Sequence, residues 1–266
     1  MTLINTITNL HNKNALITGA CGHFGRVISE VLAELGANLI LVDLDDGLHD
    51  LASSITQRWG VKVDCIACNL EYEDDRNRLI NDLVTAGNDL SILINNAAFV
   101  GTSDLSGWAT KFESQSLETW RRALEVNLTA GFHLCQGLYH LMKVSGNASV
   151  INIGSIYGHL GPDWSLYEGT EMSNPAAYAA SKGGLLQLTR WLSTVMAPEV
   201  RVNAISPGGI ERGQPNSFRQ RYVAKTPLKR MCTEQDIQGA IIYLSTDMSQ
   251  YVTGQNIMVD GGWGVW

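Results

Sequence analysis

The 266-residue chain is expected to fold as an α/β protein, with a parallel sheet covered by helices on both faces. Three observations predict this. Short apolar runs alternate with stretches of helical spacing along nearly the whole length. The first run, Asn14–Thr18, passes through the glycine-rich Gly19-Ala-Cys-Gly22-His-Phe-Gly25 into helical spacing at Val27, Ile28, Val31, Leu32 and Leu35. Polar or small residues then close the apolar runs, at Asp43, Asn95, Ser155 and Pro207-Gly208. In a parallel sheet these all fall at the carboxyl edge of the strands, where ligands bind.

Taken in order, Asn14–Thr18 and Asn38–Asp43 read as buried strands, followed by a helix over about 46–58, a strand over 61–66 and a helix over 73–86. Asp89–Ala98 reads as a fourth strand ending in amides and small residues, and 99–115 as a polar, turn-rich stretch. Leu117–Met142 has the pattern of one long helix with Asn127 in its interior, and Ala148–Ile153 is a fifth strand. A loop from Ile156 to Ser173 precedes a helix running to about Met196, with Pro175 at its first position and Ser173 or Asn174 as cap. Val200–Ile205 is a sixth strand, 211–230 a long polar segment, Glu234–Ser245 a helix and Gln255–Asp260 a last strand. With no repeat, low-complexity tract or linker, the chain reads as one domain, 1–266.

Composition narrows the function. At 45% hydrophobic residues the chain can bury a sizeable core, and its net charge of −7 argues against nucleic acid or an anionic membrane as partner. The start, MTLINTITNLHNKN, lacks a basic segment followed by a long apolar run, and no apolar run reaches the roughly 18 residues of a membrane helix. A cytoplasmic location is expected. Five scattered cysteines do not suggest a disulfide framework, and Cys65-x-x-Cys68 has neither a second pair nor a nearby histidine to complete a metal site. No metal is expected.

Two patterns carry chemistry. A strand, a glycine turn and a helix form the arrangement that holds a pyrophosphate on free N–H groups at a helix start. Asp43, about 20 residues further on, suits the ribose hydroxyls of NAD, or else caps the helix after it. Leu44 and Asp45 follow it, with no base to favour NADP. On the helix after Pro175, Tyr178 and Lys182 are four residues apart and share a face, with only Ala179, Ala180 and Ser181 between them. A phenol beside an ammonium is an acid–base pair, the positive charge lowering the phenol's pKa.

Together, Thr18-Gly19…Gly25, Asn95-Asn96-Ala97, Asn127, Ser155, Tyr178-x-x-x-Lys182, Asn203-x-Ile-x-Pro207-Gly208 and Val259-Asp260-Gly261-Gly262 resemble the short-chain dehydrogenase/reductase family, from about Lys13 to Gly262. The resemblance implies a Rossmann-like doubly wound sheet of seven strands, in a homodimer or homotetramer. It implies hydride transfer between a nicotinamide cofactor, NAD before NADP, and a carbonyl or secondary alcohol. Tyr178 would be the general acid/base, with Lys182 lowering its pKa and binding the nicotinamide ribose. Ser155 would hydrogen-bond the reacting oxygen, and Asn127 would hold a water linking Lys182 to solvent. Expected cofactor contacts are Gly19, Gly22, His23, Phe24, Gly25, Asp43, Asn69, Leu70, Asn95, Ala97, Tyr178, Lys182, Pro207, Gly208 and Ile210. Tyr157 and Arg212 are the expected substrate contacts.

The sequence departs from the family pattern at the glycine turn, where His23 stands at a usual glycine as in the extended branch, at Asn69, at Ala98, and at Arg212 in place of a common threonine. The gap from Ser155 to Tyr178 is long, and its loop, 156–173, is expected either to shape the pocket or to be an exposed or subunit-contacting loop. Segment 211–230 carries Arg212, Arg219, Arg221, Lys225, Lys229 and Arg230 against one acid, Glu211. That excess suggests a polar anionic substrate, of sugar-phosphate or nucleotide-sugar type. A weaker resemblance to surface-glycan and flagellin-modification oxidoreductases points the same way. The alternatives are a 3-oxoacyl thioester reductase and, in another class, a dinucleotide-binding regulator without catalysis.

Overall fold

A computed structural model describes residues 2–44, 47–100 and 105–266. Asp45, expected beside the ribose acid, and part of the turn-rich 99–115 stretch lie outside these residues. Seven parallel strands form one sheet: β1 (Asn14–Thr18), β2 (Asn38–Asp43), β3 (Val63–Ala67), β4 (Ile92–Asn95), β5 (Ala148–Ile153), β6 (Val200–Pro207) and β7 (Asn256–Val259). Their order is β3-β2-β1-β4-β5-β6-β7, so the direction of travel reverses between β1 and β4 and opens a crevice at their carboxyl ends. The helices are α1 (Leu3–Ile7), α2 (His23–Glu34), α3 (Leu48–Trp59), α4 (Glu73–Ala86), α5 (Leu117–Leu124), α6 (Ala130–Ser145), α7 (Ala176–Val195), α8 (Asn216–Lys225) and α9 (Gln238–Ser245). Among the described residues no helix is long and apolar enough to cross a membrane.

The strands are apolar on both faces because both faces are covered. In β1, Ile17 packs into the core under α2, α3 and α9 with Ile28, Leu32, Ile55 and Ile241. Its neighbour Leu16 packs into the opposite core under α4, α6 and α7 with Leu79, Leu134, Leu138 and Leu192. One polar chain crosses this second layer. Asn95 donates to Asn152 (2.8 Å), Asn152 donates to Thr189 (2.8 Å), and Thr189 donates to the Leu185 carbonyl (2.8 Å). It ties β4, β5 and α7 together beneath the crevice.

Most elements lie close to where periodicity places them; α1 (Leu3–Ile7) was not expected, β4 is shorter than the Asp89–Ala98 run, a 3-10 turn over Glu234–Ile237 precedes α9, and three further differences bear on the site. The helix expected over Leu117–Met142 is interrupted by a π turn at Glu125–Thr129, which holds Asn127 buried at its centre. Beside that turn the buried Arg76 donates to Glu125 (2.6 Å) and to the Leu70 carbonyl (2.5 Å). π turns of this kind concentrate at functional sites because they re-aim a side chain without ending the helix.

The second difference is at α7. Pro175 is its N-cap in extended conformation (ψ 133°), one position earlier than expected, and neither Ser173 nor Asn174 caps it. The amide oxygen of Gln115 accepts from Ala176 N–H instead (3.0 Å). The third is segment 211–230, which is not simply polar: it contains α8, whose Phe218 and Tyr222 are buried. Sequence alone shows too few apolar residues there, because the surface they cover belongs to the distant 156–173 loop.

Asn152→Ala leaves the Asn95 amide without its acceptor and the Thr189 hydroxyl oxygen without its donor. It is expected to cost about 1–3 kcal/mol of stability in urea unfolding, as for other unsatisfied buried polar groups.

Candidate active site

The glycine turn is built for close approach. Gly19 has φ 65°, and a Cβ there would stand 2.8 Å from Ala97 Cα; one on Gly25 would stand 2.1 Å from the Gly19 carbonyl oxygen. Gly22 caps α2 without any side-chain bond, which leaves first-turn N–H groups for a ligand. Asn96 braces the turn by donating to the Thr18 and Gly19 carbonyls (2.9 and 3.0 Å). The Asp43 carboxylate accepts from Cys21 N–H (2.8 Å) and from Leu44 N–H (2.7 Å), so it orders the turn as well as facing the crevice.

A cleft of about 620 Å³ runs along this edge, with Gly19, Gly22, His23, Phe24, Asp43, Asn69, Leu70, Ala97 and Arg212 in its walls. Gly25 lies behind the wall as the packing contact of the turn. Asn95 is different: its side chain is buried against Asn152, and Asn96 takes the cleft position. Strand alternation explains it, since Asn95 ends β4 facing the layer under α6 and α7. Pro207, Gly208 and Ile210 stand at the end of β6. Gly208 N–H donates to Val259 O, and Ile210 bridges to Cys232. A Cβ on Gly208 or Gly209 would meet Tyr222, so these glycines let α8 close on the strand.

Glu71, Phe99, Arg122 and Val126 also line the cleft, and sequence reasoning did not single them out. Arg122 is held by both oxygens of Glu71 (2.8 and 3.1 Å) over the Phe99 ring. Only the fold brings these separated residues together. The cradle of glycines, the uncapped helix start and the ribose-side carboxylate fit a dinucleotide.

The proposed catalytic side chains meet at the next strand ends. Ser155 follows β5, and its side chain favours ionisation of the Tyr178 phenol. Burial outweighs that influence and raises the phenol above its ordinary value. The Arg212 guanidinium also lowers the phenol's pKa, by its positive charge. Lys182, the cation expected to lower it, lies one turn further along α7. Its ammonium lies 5.8 Å from the phenol ring centroid and donates to the Ile153 carbonyl (2.7 Å). Only 2% exposed, Lys182 is pushed down to about 8 by burial, so it can lose a proton near neutrality. Asn127 donates to Ser181 (3.0 Å) and accepts from Phe99 N–H (2.6 Å), which fixes it beside α7.

The two loops form a layer of their own. Trp164, Tyr167, Phe218, Tyr222 and Trp263 pack in series, with centroid separations of 5.7, 5.4, 6.0 and 4.3 Å; the first two pairs meet tilted or edge-on and the last two are stacked. Tyr157 packs against this layer, its hydroxyl bonded to that of Tyr167 (2.6 Å). The basic excess of 211–230 is largely consumed at home. Arg219 pairs with Glu211, Lys225 with Asp163 and Arg230 with Asp236, while Arg221 donates to the Leu166 and Glu168 carbonyls and Lys229 to the Ala224 carbonyl. Of the six, Arg212 is the one in the cleft wall.

The family model described as Enoyl-(Acyl carrier protein) reductase matches residues 19–264. A 3-oxoacyl-(acyl-carrier-protein) reductase from Aquifex aeolicus is 29% identical, over 95% of this chain and 98% of its own length. Post-translational flagellin modification protein A from Campylobacter coli is 26% identical, over 96% and 100%. Among solved structures, a short-chain dehydrogenase from Leptospira borgpetersenii with bound NAD+ is 31% identical with a TM-score of 0.84, covering 99% of this chain and 96% of that one. A chain assigned as an NAD(P)-dependent gluconate 5-dehydrogenase from Beutenbergia cavernae, with NADP at low occupancy, is 28% identical with a TM-score of 0.86, covering 97% and 99%. The chain belongs to the short-chain dehydrogenase/reductase family, and is therefore an oxidoreductase that uses a nicotinamide cofactor.

Tyr178→Phe is expected to lower kcat about 10²–10⁴-fold on any accepted alcohol, with cofactor binding retained. Full activity in that variant would exclude Tyr178 as the proton carrier. Lys182 gives a pH signature. Its folded pKa of about 8 lies below the unfolded value, so burying the charge costs stability below pH 8, and that cost is relieved as pH rises from about 8 to 10.5. The stability of wild type relative to Lys182→Met should therefore improve across that window, by up to roughly 3 kcal/mol, in urea unfolding at stepped pH.

Proposed function

We propose that this enzyme interconverts a secondary alcohol and a ketone on a polar, anionic substrate of sugar-acid, sugar-phosphate or nucleotide-sugar type, with NAD as cofactor. The observation that carries the reading is a cleft lined by the glycine turn, Asp43 and the Arg212 guanidinium, on a sheet whose neighbouring strand end carries Ser155 and the Ile153 carbonyl that Lys182 holds. A nicotinamide cofactor bound in the cleft supplies or accepts the hydride. Tyr178 gives the proton to the developing alkoxide on reduction and takes it on oxidation, and Ser155 hydrogen-bonds the same oxygen. Lys182, with its lowered pKa, is suited to return a proton toward Tyr178. Asn127 fixes the turn beside it.

NAD is favoured by the Asp43 carboxylate in the cleft wall, followed by Leu44 rather than a base. A 2′-phosphate there would meet like charge. The anionic substrate rests on Arg212 alone among the six cations of 211–230, which is a narrower basis than the sequence suggested. A relative assigned to gluconate, a sugar acid, and another to flagellin modification support the polar class. The Aquifex aeolicus relative supports the second reading, a 3-oxoacyl thioester reductase. A homodimer or homotetramer is proposed as the assembly.

Profiling with NAD+ and NADP+ against gluconate, sugar phosphates, nucleotide sugars, simple alcohols and 3-oxoacyl thioesters separates these readings. Turnover confined to acyl thioesters would exclude the sugar-type substrate. With an accepted anionic substrate, Arg212→Gln should raise KM about tenfold while leaving KM for a neutral polyol within a few-fold, the size expected for losing one charge-assisted contact.

A further inference from the structure

Arg212 and His23 are two departures from the family pattern that lie far apart in sequence, and they meet on one carboxylate. Glu234 Oε1 accepts from Arg212 Nε at 3.0 Å and lies 3.9 Å from His23 Nδ1. Glu234 itself is well covered, its side chain 19% exposed against 42% for Arg212 and 71% for His23. It stands on a stiff base: it opens the 3-10 turn Glu234–Ile237, which has a full capping box between Thr233 and Asp236 and whose Ile237 is buried in the core under α2. Arg212 lies on the strand-end loop, where its backbone N–H donates to the Gln214 side chain (2.8 Å). Its guanidinium carbon lies 5.9 Å from the centroid of Phe24, another wall of the cleft. Among the described residues, Nη1 and Nη2 of Arg212 make no hydrogen bond to the protein. A guanidinium anchored by Nε, with its two outer nitrogens left over, presents the planar edge that pairs with a carboxylate or phosphate.

We propose that Glu234 is a positioning residue: it holds Arg212 by Nε against Phe24, so that Nη1 and Nη2 face an anionic group in the cleft. This rests on the reading of Arg212 as an anion partner given above. The anionic group is a phosphate or carboxylate, either in the cofactor's pyrophosphate or on the substrate. Holding the side chain beforehand removes the entropy that a free arginine would lose on binding. His23 shares the same carboxylate and so links the glycine turn to the strand-end loop across the cleft.

The test has two arms, measured on wild type, Arg212→Gln, Glu234→Ala, Glu234→Gln and the double variant Arg212→Gln/Glu234→Ala. One arm is NADH binding by fluorescence titration. The other is calorimetric binding of gluconate and 6-phosphogluconate to the NAD+ complex, with xylitol as neutral control. Arg212→Gln and Glu234→Ala are each expected to weaken at least one anion about tenfold. The double variant should be no weaker than Arg212→Gln alone, and Glu234→Gln, which keeps the accepting oxygen, should stay close to wild type. Loss in the NADH arm alone assigns the anion to the cofactor: the positioning role then stands and the anionic-substrate reading fails. Loss in the sugar-acid arm supports both.

Additive losses in the double variant would overturn the proposal, as would a Glu234→Ala protein that binds normally or merely melts earlier. If Arg212→Gln changes neither arm, both readings fall. Should Glu234→Ala not fold, a wild-type affinity in a folded Glu234→Leu variant overturns the proposal, and a tenfold loss there supports it.

Discussion

A buried amine carried by α7 constrains the rest of the site. Lys182 is almost fully covered and donates a hydrogen bond to the Ile153 carbonyl at the end of β5. An ammonium is costly there, and it is tolerated because the carbonyl accepts from it and because its pKa falls toward neutrality. For that bond to form, α7 must lie close over the strand ends. Small residues allow it: a Cβ on Gly158 would stand 3.0 Å from the Lys182 carbonyl oxygen, and one on Gly184 would stand 2.8 Å from Leu128. Two further bonds hold the helix in the same register, Asn127 to Ser181 on one side and Asn152 to Thr189 deeper in the layer. Tyr178, one turn before Lys182, is thereby held in the same register. The proposed proton transfer depends on that register and not on the four-residue spacing alone.

A second constraint comes from the loops. The long 156–173 segment and the segment after β6 bury their aromatic residues against each other, because neither has a complete apolar face of its own. Tyr222 joins this layer to the sheet by accepting from Gly209 N–H (2.6 Å). The same packing brings Lys225 to Asp163 and Arg221 to the loop carbonyls. Most of the local positive charge is spent on assembling this cover. In the cleft wall two arginines are each held by a glutamate, Arg122 by Glu71 and Arg212 by Glu234, and they stand with the Asp43 carboxylate.

Much of this was legible from residues. The strand–glycine–helix unit, the acid ending β2 and the Tyr178–Lys182 spacing are local patterns, fixed by backbone sterics and helical periodicity, and they lie where the sequence places them. Less legible were features that depend on distant partners. Asn95 and Asn96 are adjacent and chemically identical. Strand alternation turns the first inward to Asn152 and leaves the second to brace the glycine turn, and only the register with β5 shows which is which. The π turn at Asn127 sits beside Arg76, some 50 residues earlier in the chain, and the cap of α7 comes from Gln115. Net charge counted along 211–230 suggested an anion-binding surface, but charge counting does not register which cations already have partners.

The sequence by itself therefore determined the α/β class, the strand–glycine–helix turn and the shared face of Tyr178 and Lys182, because these depend on periodicity and on residues close in the chain. Tertiary structure decided which polar groups face the cleft, which cations of 211–230 already have partners and how α7 is held. Those outcomes depend on burial and on hydrogen bonds between residues far apart in the chain, and His23, Arg212 and Glu234 come together only when the sheet closes.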